Sequence, residues 1–154
     1  MAKIRNATGS TRTEARSKRI ATGLTKTNYE ALSDFRFALR RFLAFSESAA
    51  RQAGLTPQQH QALLTIKGAQ DADSVSIRLL AERLLINHNT AVELVDRLVA
   101  AGLVERSRDT EDRRRARLEL TGMAERRLQS LSAAHLKELE AVRPALMKIL
   151  NQLD

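Results

Sequence analysis

Arg106, Arg108, Arg113, Arg114, Arg115 and Arg117 crowd into one short stretch of this chain, against Asp109, Glu111 and Asp112. A guanidinium is a planar, permanently charged fork that matches the paired oxygens of a phosphate or a carboxylate. Asp109 and Asp112 are therefore expected to hold the stretch and orient its cations. Arg113, Arg114 and Arg115 are the expected contacts to an anion, with Arg114 first. Just upstream, Asn87, His88, Asn89, Thr90, Glu93 and Arg97 form a second polar group. Asparagine can bond adenine through two atoms, threonine can touch a thymine methyl, and glutamate can accept from a cytosine amino group. Glu93 would otherwise repel phosphate unless it pairs with Arg97. Asp96 and Arg97 suit anchoring better than reading.

Such residues work only if the chain presents them together. Leu79, Leu80 and Leu84, then Ala91, Val92, Val95, Leu98 and Val99, recur at spacings of three and four, which sets each group on one face of an α-helix. The pattern breaks at Leu85-Ile86-Asn87. Asn87 suits the N-cap of the second helix and Gly102 the C′ position at its end. Two helices joined by so short a turn make a helix-turn-helix. Leu103 to Arg106 and Ala116 to Leu120 then read as two antiparallel strands, the second with period-two alternation, and residues 109–115 as the polar turn between them. The pair is a hairpin wing. A helix fits the DNA major groove, with its N-terminal residues at the base edges, and a basic hairpin suits phosphates or a narrow minor groove.

The stretch LAERL, then NTAVELVDRLVAAGLVER, D-x-x-D-RR and a return strand ending in LT resembles the winged helix-turn-helix of the MarR family of bacterial transcription regulators. The resemblance covers roughly 29–154. It implies a homodimer, double-stranded DNA as partner, and a small aromatic or carboxylate effector bound between the dimer helices and the winged region. Three positions depart from the family pattern. Leu85 stands where glycine is common, His88 and Asn89 where small or arginine residues are frequent, and Glu111 where the wing tip often has arginine. Which arginine would enter a minor groove stays open.

Composition agrees with one ordered domain: 154 residues and 43% hydrophobic content are enough for a real core. The chain has no cysteine, which excludes disulfides, thiolate metal sites and a thiol redox switch. No apolar run is long enough to span a bilayer and no signal-peptide core is present, so a cytoplasmic protein is expected. The net charge of +8 points to a polyanionic partner, yet residues 1–28 hold seven basic side chains against Glu14 alone, so most of it sits there. That segment, poor in large apolar residues, is expected to be a disordered basic tail. It is either an arm that grips DNA or a solvated leader.

The expected fold class is mainly α with a small β component (α+β): a winged helix-turn-helix over 55–121, flanked by dimerisation helices over 29–53 and 122–154. Leu32, Phe35, Leu39, Phe42, Leu43 and Phe45 stripe the first of these up to Gly54. Thr56-Pro57-Gln58-Gln59 is a capping box that opens the next helix, whose apolar side is Leu63, Leu64 and Ile66. Ser74-Val75-Ser76 reads as a minimal strand beside the wing. Thr121 caps a helix through Leu128, Leu131, Leu136 and Leu139, and Pro144 is expected to start another. Surplus apolar surface at both ends of the chain points to a dimer. Phe42, Phe45 and His60 are the expected lining of an effector site. Neither a catalytic group nor a metal or cofactor motif is found, so no enzyme is expected. The reading from another class is a winged-helix module that binds proteins instead of DNA.

Overall fold

The computed structural model describes residues 23–69, 75–108 and 116–152. Expectations for the tail up to residue 22, for Ser74, for Leu153 and for the hairpin tip with Asp109, Asp112, Arg113, Arg114 and Arg115 fall outside them. Arg108 and Arg117 are described by their backbone. The elements are α1 (Lys26–Gln52), α2 (Pro57–Gly68), α3 (Ile77–Leu84), α4 (His88–Ala100), β1 (Val104–Arg108), β2 (Ala116–Leu120) and α5 (Gly122–Asn151).

Local chemistry sets most of these boundaries. Helix α1 begins at Lys26 rather than Tyr29, because Thr25 and Asn28 cap each other: the Asn28 N–H donates to Thr25 Oγ1 at 3.3 Å and the Thr25 N–H to Asn28 Oδ1 at 2.9 Å. It ends at Gly54, whose φ of 73° lets the Leu55 N–H reach back to the Ala50 carbonyl at 2.9 Å. Helix α2 opens with the expected capping box, Thr56 and Gln59 exchanging bonds of 2.9 and 3.1 Å. Ser76 is the N-cap of α3, accepting from the Leu79 N–H at 3.2 Å, so Val75 and Ser76 lead into a helix and not a strand. The sheet among the described residues is β1 and β2 alone, antiparallel, with Val104 opposite Leu120 and Arg108 opposite Ala116.

Pro144 starts no new helix but lies inside α5. A proline there removes one backbone hydrogen bond and crowds the preceding turn, at a cost of ~3 kcal/mol. The turn beyond it keeps its helical phase and buries Ile149.

The chain divides into two compact units. Arg41–Ala141 contains one continuous core: Leu63 and Ile66 of α2, Leu80 of α3, Leu94, Val95 and Leu98 of α4, Val104 and Leu118 of the strands, and Leu128 and Leu131 of α5. Leu94, not Val99, completes the buried face of α4, and Leu64 turns outward at 49% exposure. The other unit comprises Val142–Asp154 and the described residues up to Arg40. Ala31 and Ile149 are buried in it, while Tyr29, Leu32, Phe35, Leu39, Met147 and Leu150 remain exposed.

Candidate nucleic-acid interface

Helix α4 is anchored at its first turn by Asn87, whose Oδ1 accepts from the Thr90 N–H at 2.8 Å. Its carbonyl oxygen is thereby committed to the cap, beside the positive end of the helix dipole. His88, Asn89, Glu93 and Arg97 are exposed and Thr90 is half-buried, while Ala91, Leu94, Val95 and Leu98 pack inward. The side chains expected to read bases thus share the outward face and first turn of one helix. Arg97 does not neutralise the Glu93 carboxylate: its Nε donates to the Glu93 backbone carbonyl at 3.3 Å.

The turn before α4 is made by a residue with an unfavourable backbone. Leu85 lies in the left-handed region at φ 55° and ψ 41°, and its N–H closes α3 on the Ala81 and Glu82 carbonyls. The Ile86 N–H follows at 3.0 Å from Ala81 O. Gly102 makes the equivalent turn after α4 at φ 65°, with Leu103 N–H bonded to Leu98 O at 2.9 Å. Glycine takes this conformation without penalty, whereas an L side chain costs roughly 1–2 kcal/mol. The Leu85 side chain is 93% exposed, so no burial offsets that cost.

Helix α4 and the hairpin are tied together twice. Arg106 on β1 donates to Asp96 on α4 at 2.7 Å, which gives Asp96 the anchoring role expected of it. Thr121, at the end of the wing, donates through its hydroxyl to the Gly102 carbonyl at 2.7 Å and through its N–H to the Leu103 carbonyl at 3.1 Å. The same hydroxyl caps α5 by accepting from the Ala124 N–H at 3.2 Å.

Phe42, Phe45 and His60 do meet, around His135, which is not among the expected site residues. His135 of α5 lies 5.8 Å from Phe42, 5.3 Å from Phe45 and 4.7 Å from His60, centroid to centroid. The rings are in contact, and His60 is only 3% exposed. Burial first, and the neighbouring His135 second, hold the His60 pKa below its ordinary value. Open space lies one turn along: a cleft of about 450 Å³ between α2 and α5, lined by Leu64, Lys67, Glu125, Leu128 and Ser132. Lys67 and Glu125 form an ion pair at it. Among the described residues no group of histidine and carboxylate side chains is placed to hold a metal, and no helix is long and apolar enough to cross a membrane.

Residues 53–115, from the end of α1 to the hairpin tip, match the MarR family. The winged region is a MarR-family domain. The fold agrees: a MarR family protein from Bacillus stearothermophilus superposes with a TM-score of 0.66 at 21% identity, covering 78% of this chain and 82% of that one. A mutant of Staphylococcus aureus MepR bound to an oligodeoxyribonucleotide gives 0.62 at 21%, over 86% and 100% of the two chains. CouR from Rhodococcus jostii RHA1, bound to p-coumaroyl-CoA, gives 0.62 at 24%, over 80% and 88%. No curated protein sequence matches this chain closely enough to count.

Within this MarR-family region and its flanks, two further features of the sequence agree with the structure. His135 continues the stripe of Leu128 and Leu131 at a spacing of four, so a polar ring at a core-facing position needed partners. Ser76 precedes an apolar run, the usual setting of an N-cap. The Asp96–Arg106 pair had no local signature, because helix and strand meet only through the fold.

Proposed function

We propose that this chain is a dimeric, sequence-specific DNA-binding transcription regulator, a repressor released by a small-molecule effector. The observation that carries this reading is the outward face of α4, where Asn89, Thr90 and Glu93 follow the Asn87 cap on a helix tied by Asp96–Arg106 to an arginine-rich hairpin. Base-reading side-chain types stand at the positive end of a helix sized for the major groove, with phosphate-binding types beside them. His88 and Arg97 flank that face, and Arg113, Arg114 and Arg115 extend it onto phosphates or into the minor groove, supported by Asp109 and Asp112. The oligonucleotide carried by the MepR mutant supports the assignment.

The exposed apolar residues Tyr29, Leu32, Phe35, Met147 and Leu150 need a cover, and a second copy of the chain supplies it. Two-fold symmetry then calls for a pseudo-palindrome with half-sites about one turn, ~10 base pairs, apart. The p-coumaroyl-CoA in CouR supports an acidic organic effector. Since Phe42, Phe45 and His60 are already packed on His135, the α2–α5 cleft beside them has the room for it.

Selection of bound duplexes from a random pool, followed by titration over salt, tests this function. An enriched pseudo-palindrome whose affinity falls steeply with salt is expected. No enriched sequence and no salt slope would favour the protein-binding module instead.

A further inference from the structure

The two histidines at the meeting of α1, α2 and α5 have more organisation than a packing role requires. His135 Nδ1 is 2.7 Å from the Leu131 carbonyl and Nε2 is 2.8 Å from Ser46 Oγ. A carbonyl only accepts, so Nδ1 carries the proton. In the neutral ring Nε2 is then an acceptor, and the Ser46 hydroxyl donates to it. Phe42 and Phe45 close on the same ring edge-on, and the nearly inaccessible His60 faces it from α2. One imidazole thus bridges α5 to α1 by a hydrogen bond and to α2 by a ring contact.

Both hydrogen bonds of His135 can survive a proton, so the cost of protonation falls on the buried ring of His60 that faces it. A proton on Nε2 turns the Ser46 hydroxyl from donor to acceptor. A proton on His60 puts a cation on a nearly inaccessible ring whose neighbour, 4.7 Å away, is another imidazole and not a carboxylate. The charged groups on the three helices offer limited relief. On α1, Glu47 pairs with Arg51 at 3.2 Å, and Arg41 adds positive charge. On α2, Lys67 is paired with Glu125 of α5. Elsewhere on α5, Arg127 and Glu138 are both half-buried, Glu138 three residues beyond His135.

We propose that the buried His60, packed against His135, is a proton-operated latch: neutral, it holds α2 onto α5, and its protonation in mildly acidic solution loosens α2 and the helix-turn-helix that follows it. The signal would be acidity itself, read without a ligand. Its effect on DNA rests on the function proposed above, but the latch is testable without DNA.

The direction follows from linkage. A histidine whose pKa is lowered in the folded state binds fewer protons there than in the unfolded chain, so stability rises with pH across the interval. The contribution is complete above the ordinary histidine value of 6.5 and is lost as pH falls through the lower, folded value. Urea midpoints of the full chain at about pH 7.5 and about pH 5.5 should therefore differ, with the acidic one lower. In His60→Gln, which cannot take up the proton, that difference should shrink markedly. The ring C–H resonances of wild-type His60 should titrate below the ordinary range. Hydrogen exchange, corrected for its intrinsic pH dependence, should show α2 amides losing protection at the acidic pH. Should His60→Gln fail to fold, the resonance titration and His135→Gln still decide. An equal pH dependence in wild type and variant, or a His60 that titrates at or above its ordinary value, overturns the latch. With the latch intact, a duplex selected at neutral pH should bind more weakly at about pH 5.5, and less so in His60→Gln. Loss of stability at acid pH without any DNA binding at either pH would uphold the latch and sink the regulator assignment.

Discussion

Replacing Leu85 by glycine should stabilise the protein relative to replacing it by alanine. Leu85 is held at φ 55° by the bonds that close α3, and its side chain is 93% exposed. Removing the side chain alone therefore loses almost no buried area, and Leu85→Ala should stay close to wild type. Leu85→Gly removes the Cβ penalty of roughly 1–2 kcal/mol. Against this, glycine makes the unfolded chain more flexible by about 0.4–1 kcal/mol. The net advantage of glycine over alanine is about 0.5–1 kcal/mol. With a urea m-value of ~2 kcal/mol/M, it appears as a midpoint higher by a few tenths of a molar at unchanged slope. The alanine variant is the necessary reference, because it shares the loss of side chain and differs only in backbone freedom. An alanine variant as stable as the glycine variant, or more so, would refute the reasoning: the left-handed turn would then carry no strain worth removing.

Three further outcomes are expected. Asn89→Ala or Thr90→Ala should relax base preference at one position of the selected site, by about 1–3 kcal/mol, measured as the affinity ratio between the preferred base and its substitutes; uniform weakening on all sequences would count against readout from α4. Neutralising Arg114, or failing that Arg113 or Arg115, should lower affinity on every duplex and reduce the salt slope by roughly one unit. Asn87→Ala removes the bond to the Thr90 N–H, so it should cost ~1 kcal/mol in urea unfolding and weaken DNA binding further, since the cap also positions the reading face.

What the sequence disclosed was mostly local. The Thr56–Gln59 box, the Asn87 cap and the Gly54 and Gly102 ends are each written within a few residues, and each is found in the structure. Where a local rule competed with packing, packing won. Pro144 is a helix breaker by type, but α5 runs through it. Val99 has the spacing of a core residue, but Leu94 fills the place. The gathering of Phe42, Phe45 and His60 could be anticipated because α1 and α2 are consecutive. Their common partner could not be located by spacing, since His135 arrives from the far end of the unit. The Asp96–Arg106 pair is similar: both residues are legible as charged, and only the fold brings them together.

The bonds around α4 also constrain how any signal could reach it. Asn87 fixes its start, Asp96–Arg106 joins its middle to β1, and Thr121 joins its end to the base of α5. The buried residues Leu94, Val95, Leu98, Val104 and Leu118 fill the space between. A close-packed body of this kind transmits displacement instead of absorbing it, so α4 and the two strands should move as one piece. A signal has to act where that piece meets its neighbours. The antiparallel pair of α2 and α5 is such a place, with His60 against His135 at one end, the Lys67–Glu125 ion pair at the other and the cleft between them. An acidic ligand that drew Lys67 away from Glu125 and a proton taken up by His60 would disturb the same helix pair from opposite ends. Each would shift the population only by its unequal preference for the two arrangements, not by how tightly it binds. The two signals should therefore reinforce each other: ligand affinity measured at acid pH should rise if both favour the loosened pair.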